Sequence, residues 1–277
     1  KVKLLKTNHR QIVDEGLRNV HNDTCYPALL VIGQMMDALK SGEYDINKTA
    51  LMITQTGGGC RASNYINLLR KALKKNGFGH VPVVSLNMSS MEKNPGFKLS
   101  IKLLYQLVSA ICYGDVLMWL GNQVRPYEIN KGETDRVYQQ CVDNLSQAIK
   151  SGIGSARKAF EQGMKDMAAI PYDRSHLKPK VFITGELLVT YHSGSNFNIE
   201  RYMEENGMET IFPRITDQLR KDFLASMAEI KDYNANIFPY PFAVDWLFDH
   251  VQKSLEKTAV LHPLYKKALR PRDMYQG

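Results

Sequence analysis

Thr49-Ala-Leu-Met-Ile-Thr54, then Gln55-Thr56-Gly57-Gly58-Gly59-Cys60-Arg61, then Ala62 to Lys75, then Val81-Pro-Val-Val-Ser-Leu86 follow one another in the chain. The first and last segments are short apolar runs of the kind found in buried parallel strands. Between them, Ile66, Leu69 and Leu73 recur at helical spacing, with Arg70, Lys71, Lys74 and Lys75 on the other side. Asn76-Gly77 closes that helix. Strand, glycine turn, helix, strand is a βαβ unit, and a right-handed parallel crossover is its ordinary outcome. The fold class expected is therefore α/β, three-layer and Rossmann- or flavodoxin-like.

Outward from this unit, the N-terminal side predicts helices over 12–20 and 27–39, the second opened by Pro27 and stopped near Gly42. On the other side, Asn94-Pro95-Gly96 is a turn. Helical stretches follow over 99–121, 134–150 and 154–170, ended by Pro171. Lys180-Val-Phe-Ile-Thr184 begins a second α/β run: Gly185-Glu186, a helix over 199–206 and a strand over 209–212. Helices over 216–232 and 243–257 complete the chain. The pattern predicts two parallel-sheet lobes, 1–98 and 176–277, joined by a helical connection over 99–175.

The chain has 277 residues, 44% hydrophobic and 23% charged, which excludes a disordered or fibrous protein. Four cysteines are too few for a disulfide scaffold. No apolar run is expected to reach the about 18 residues of a membrane span, so no membrane partner is expected. Lys1-Val2-Lys3-Leu4-Leu5-Lys6 has no signal-peptide core, and the chain reads as a piece of a longer protein in a reducing compartment. The net charge is +8, but the cations are scattered and not interleaved with aromatics. That pattern argues against a nucleic-acid partner and leaves a polyanionic small ligand, such as a nucleotide or CoA ester, open.

Cys60 carries the most chemical information. It follows three glycines at a strand end and opens a helix. Consecutive glycines let backbone N–H groups converge on an anion, and a helix N-terminus adds partial positive charge. With Arg61 adjacent, this setting favours a thiolate. Such a thiolate suits an iron–sulfur ligand or a nucleophile; the alternative is a phosphate-cradling turn in which Cys60 is merely small. Neither the G-x-x-x-x-G-K-[ST] nor the G-x-G-x-x-G spacing is present. Cys25, in Asn22-Asp-Thr-Cys-Tyr-Pro-Ala28, lies before a second helix N-terminus and is a candidate for the same site. Cys112 and Cys141 fall inside helices and read as packing residues. Gln55, Gly57, Gly58, Gly59, Arg61 and Asn64 are the candidate cofactor-binding residues. Glu186, just past a strand, and His192, in the following loop, are the candidate catalytic residues.

Asn22–Ala28 with Gly33-Gln34, and Gln55-Thr-Gly-Gly-Gly-Cys-Arg-Ala-Ser-Asn-Tyr65, together resemble the large bacterial 2-hydroxyglutaryl-CoA dehydratase activators, or CoA-substrate-specific enzyme activases. The likeness is to their dehydratase-like region and continues through 81–87, 94–97, 114–115, 125–128 and 180–186. The resemblance implies an anaerobic, cytoplasmic parent chain that carries an ATP-hydrolysing activase region elsewhere. It implies a 4Fe-4S or related cluster with Cys25 and Cys60 as ligands. It also implies electron transfer toward a 2-hydroxyacyl-CoA thioester. Only two cysteines fall in these motifs, so the 277 residues by themselves are expected to be inactive and to lack part of the ligand set. A homodimer is compatible with this reading. The alternative from a different class is a metal-free nucleotide or CoA-ester binding module, or a docking domain of a larger activase protein.

Overall fold

The structure is a computed structural model that describes residues 2–21, 23–56, 60–87, 100–233 and 240–267. In chain order the elements are α1 (Gln11–Asn19), α2 (Tyr26–Lys40), β1 (Leu51–Gln55), α3 (Tyr65–Lys75), β2 (Val83–Asn87), α4 (Ile101–Val124), α5 (Glu133–Ser151), α6 (Ile153–Ala168), β3 (Lys180–Phe182), α7 (Leu187–Tyr191), α8 (Ile199–Glu205), β4 (Glu209–Ile211), α9 (Ile215–Tyr233) and α10 (Tyr240–Ala259). Short 3-10 turns occupy Ile46–Lys48, Arg61–Asn64 and Arg125–Tyr127. The described residues thus mix helices with two parallel two-stranded sheets, β1-β2 and β3-β4. The chain divides into two compact units, Lys1–Lys98 with Glu186–Ile199, and Leu99–Gly185 with Glu200–Gly277.

In the first unit, β1 and β2 pair in parallel register from Leu51 opposite Val83 to Gln55 opposite Asn87. Alternate β1 residues Leu51, Ile53 and Gln55 are buried, while Met52 and Thr54 are exposed, so one face of the strand is covered. Ile66, Leu69 and Leu73 of α3 share a core with Ile32, Met36 and Leu39 of α2 and with Leu51 and Ile53. This is the βαβ packing expected from the sequence. Helices α1 and α2 touch through backbone. A Cβ on Gly33 would lie 1.8 Å from the Ile12 carbonyl oxygen, and one on Gly16 would lie 2.2 Å from that of Leu29. Only glycine permits this approach.

The second unit is built around α4. Its Val108, Cys112, Val116, Leu117, Leu120 and Val124 share one core with residues of α5, α6 and α10. Asp115 is buried there, and its carboxylate accepts the backbone N–H groups of Ile215 (3.0 Å) and Thr216 (2.7 Å), capping the start of α9. Burial raises the Asp115 pKa, opposed by those hydrogen bonds. Arg220 on α9 is buried and donates to Asp245 at 2.8 Å and Asp249 at 3.0 Å on α10. Strand β3 pairs in parallel with β4, Lys180 opposite Glu209.

Two expectations change. The helical connection over 99–175 does not stand between lobes. It shares a core with α10, whose Val244, Phe248, Val251 and Leu255 join the same cluster. Residues Glu186–Ile199, expected in the second lobe, belong to the first unit. Their loop packs tightly there: a Cβ on Gly194 would sit 2.7 Å from Asn8 Cβ. Periodicity shows that a helix has an apolar face but not which face covers it. The second change concerns membrane-spanning potential. One helical segment, Ile101–Tyr127, is long and apolar enough to cross a membrane by length and composition. Lys102 and Asp115 interrupt its apolar run in sequence without lowering its mean hydropathy below that of a span. Its buried residues form the core of the second unit.

Candidate functional site

The candidate site lies in the first unit and is assembled from three separate parts of the chain. Cys25 is the N-cap of α2, with Pro27 in the first helical turn. Its sulfur makes no hydrogen bond to its own helix. Cys60 is the N-cap of the Arg61–Asn64 turn, which runs directly into α3, and its sulfur accepts the Ala62 N–H at 3.5 Å. Both cysteines are exposed and free. Glu186 is the N-cap of α7, and its Oε2 accepts the Val189 N–H at 3.0 Å.

Cys25 meets Tyr65, the first residue of α3. Its ring is buried in the core of the unit, and its Oη lies 3.0 Å from Cys25 Sγ. Burial raises the phenol pKa most. The hydrogen bond and charge of Cys25 add to this, and the nearby Cys60 and Glu186 add further. The phenol therefore keeps its proton across the neutral range. Cys25 thus meets a protonated phenol, and Cys60 and Glu186 act on that phenol electrostatically.

Gln55, a candidate cofactor-binding residue, is bonded within the protein. It is buried, its Nε2 donates to the Ser63 carbonyl at 2.9 Å, and its Oε1 accepts from Ser85 Oγ at 2.7 Å. A further bond of 3.2 Å joins Thr56 Oγ1 and Ser63 Oγ. Gln55 therefore ties β1, β2 and the Cys60 turn together. Gly57, Gly58 and Gly59 lie outside the described residues. Arg61 is exposed at the start of the turn. Asn64 is exposed, and its Oδ1 accepts from Asn67 Nδ2 at 2.8 Å.

His192 ends α7, and its Nδ1 accepts the Ser195 N–H at 3.2 Å, so that nitrogen is engaged in shaping its own loop. The loop then passes through two left-handed residues, Phe197 (φ 57°) and Asn198 (φ 55°). Positive φ is uncommon in non-glycine residues and costly for Phe, so surrounding contacts must hold this bend. The Gly194–Asn8 approach and the Asn196 Nδ2 bond to the Thr190 carbonyl at 3.1 Å supply some of them.

Cys112 and Cys141 are buried in the core of the second unit. Burial raises both thiol pKa values, that of Cys141 to about 11. They are packing residues, as their helical setting implies. Among the described residues no group of three or more His, Cys, Asp or Glu side chains stands close enough to hold a metal ion. The sequence motifs contained Tyr65 but did not mark it as a site residue. Its signal was an aromatic at the first turn of the helix that Cys60 opens. Comparison with family models, with curated proteins and with solved structures finds no match to this chain.

Proposed function

We propose that the first unit is the sulfur-bearing, dehydratase-like part of an ATP-driven reductive system, with Cys25 and Cys60 as iron–sulfur ligands. The observation that carries this reading is that the first unit holds two exposed thiols at N-cap positions, one of which, Cys25, lies 3.0 Å from Tyr65 Oη. A cubane cluster takes about four protein ligands, usually thiolates. Of the four cysteines in the chain, two are buried in the second unit's core, leaving two for the site. A complete four-thiolate set does not fit these residues. Any further cysteine ligands come from outside the 277 residues. When bound, such a cluster supplies one-electron transfer. The residues here hold two sulfurs at helix starts, where partial positive charge favours anionic ligands, and Gln55 braces the turn that carries Cys60.

The same reading places the protein in the cytoplasm of an anaerobe, beside an ATP-hydrolysing activase region and, further on, a CoA thioester substrate. It assigns no turnover to this chain by itself. The two parallel sheets fit a larger three-layer, Rossmann- or flavodoxin-like arrangement, supported by the strand–helix–strand order of β1, α3 and β2.

The test is anaerobic reconstitution with iron and sulfide, followed by iron and sulfide quantification and paramagnetic resonance. With part of the ligand set missing, the wild-type chain is expected to bind iron only partially, Cys25→Ser and Cys60→Ser to bind less, and Cys141→Ser to match wild type. Equal iron in all four proteins overturns the ligand assignment. No iron in the wild-type chain overturns the view that two thiols suffice for capture.

A further inference from the structure

The second unit holds a small cavity of about 180 Å3, lined by Met118, Trp119 and Asn122 of α4, Lys180 of β3, Glu209 of β4 and Lys266 among others. That is below the about 300–1,000 Å3 of pockets for drug-sized molecules, so an occupant has few heavy atoms. Glu209 is 1% exposed. Its Oε2 accepts from Tyr127 Oη and Arg174 Nη2, both at 2.8 Å, which fixes the carboxylate in place. Its Oε1 accepts no hydrogen bond among the described residues, and Lys180 Nζ stands 3.7 Å from it. Asn122 is 4% exposed, and its Oδ1 accepts from Arg125. Its Nδ2 has no hydrogen-bond partner among the described residues. The geometry points to a binding site for a small organic carboxylate that also carries a hydrogen-bond donor. The donor meets Glu209 Oε1, and the carboxylate meets Lys180, Lys266 and Asn122 Nδ2.

The charge balance selects an anion. Glu209 is the one carboxylate among the described lining residues, and Arg174 already pairs with it. Lys180 and Lys266 then remain as cations at the cavity, and Lys266 enters no ion pair among the described residues. Both lysines are exposed, so their amines can turn toward an entering carboxylate. The hydrogen-bond balance adds the donor. A buried carboxylate oxygen without a partner is costly, and a hydroxyl or ammonium hydrogen of the occupant satisfies Oε1. Trp119 supplies an apolar wall for a short carbon chain. Its ring is held by the Arg214 guanidinium, 5.4 Å from the ring centre, and by Tyr265, edge-on at 6.2 Å. Ordered water is the competing occupant of a polar cavity, but water leaves the two lysines unmatched. The site does not rest on the iron–sulfur reading, since all its residues belong to the second unit.

The experiment uses the full chain with Trp246→Phe, so that Trp119, which lines the cavity, is its only tryptophan. Its emission is titrated separately with 3-hydroxybutyrate, β-alanine and butyrate at constant ionic strength. A saturable change is expected with a donor-bearing probe, with a Kd on the order of 1–10 mM, as befits so few heavy atoms. Whichever of 3-hydroxybutyrate and β-alanine binds more tightly identifies the donor as hydroxyl or ammonium. Butyrate, with the carboxylate but no donor, should bind about ten-fold more weakly or worse. Lys180→Met and Lys266→Met, both at exposed side chains, should each weaken binding by about ten-fold. Lys48→Met, in the first unit, should change nothing. No saturable change with either donor-bearing probe means that the cavity holds water only and overturns the proposal. Butyrate binding as tightly as the other two overturns it as well, as does binding that neither Lys180→Met nor Lys266→Met weakens.

Discussion

Each unit holds two of the four cysteines, and the two pairs could hardly be more differently placed. Cys25 and Cys60 sit at helix starts, exposed, with sulfurs next to N–H or O–H groups. Cys112 and Cys141 sit in helix interiors, buried in a continuous apolar core, with their thiols pushed toward neutrality. The lesson concerns position within an element. A helix start leaves unpaired N–H groups that a sulfur can meet, whereas in a helix interior those groups are consumed by the backbone. At Asp115 and Arg220 the buried polar groups of the second unit instead hold helices together.

The sharpest break of this comparison is native-state thiol labelling. Cys25 and Cys60 should react freely. Cys112 and Cys141 should react more slowly by roughly a thousand-fold or more, because they label only when the core opens. If mass spectrometry finds all four cysteines labelled at similar rates, the contrast is wrong.

Next in size is Arg220→Met, which leaves the buried Asp245 without its guanidinium partner. The second unit should lose about 3–5 kcal/mol. Both tryptophans, Trp119 and Trp246, lie in that unit, so their fluorescence in urea reports it selectively. Labelling of Cys25 and Cys60 should not change. A midpoint within error of wild type would show that the pair is dispensable.

The corresponding cut in the first unit is Gly33→Ala, where the added methyl meets the Ile12 carbonyl. A loss of about 1–3 kcal/mol is expected, in the range of core overpacking. It should appear as faster proteolysis within residues 1–98, with the tryptophan transition unmoved.

The smallest effect is a pH dependence of the second unit. His262 is buried, and burial lowers its pKa below the ordinary 6.5. The unfolded chain then takes up the proton first. Stability should fall as pH drops below about 6.5 and level off once the folded imidazole also protonates. His262→Gln should flatten this part of the profile in urea titrations at stepped pH, and an unaltered slope would exclude His262 as its source.

Much of the local structure was legible in the chain. The strands expected over 49–54 and 81–86, the basic-faced helix to Lys75 and the long helices from α4 onward follow, within a few residues, from apolar spacing and from the Gly and Pro that punctuate it, whereas the short α7 after Glu186 was not legible. The cysteine environments followed too, because helix start and helix interior are properties of sequence position. Gln55 was legible as a residue at a strand end, but not as one whose amide bonds Ser63 and Ser85. Those partners lie 8 and 30 residues away and are chosen by packing.

What the sequence determined by itself, then, is the order and approximate extent of the main helices and strands and which sulfurs stand at a helix start. These depend on neighbours within a few positions. Only the tertiary structure decided that Glu186–Ile199 joins the first unit, that the helices over 99–175 share a core with α10, and that Tyr65 meets Cys25. Such outcomes depend on which apolar faces cover one another, and many pairings bury similar area. Backbone approaches such as Gly33 on Ile12 and Gly194 on Asn8 select among them.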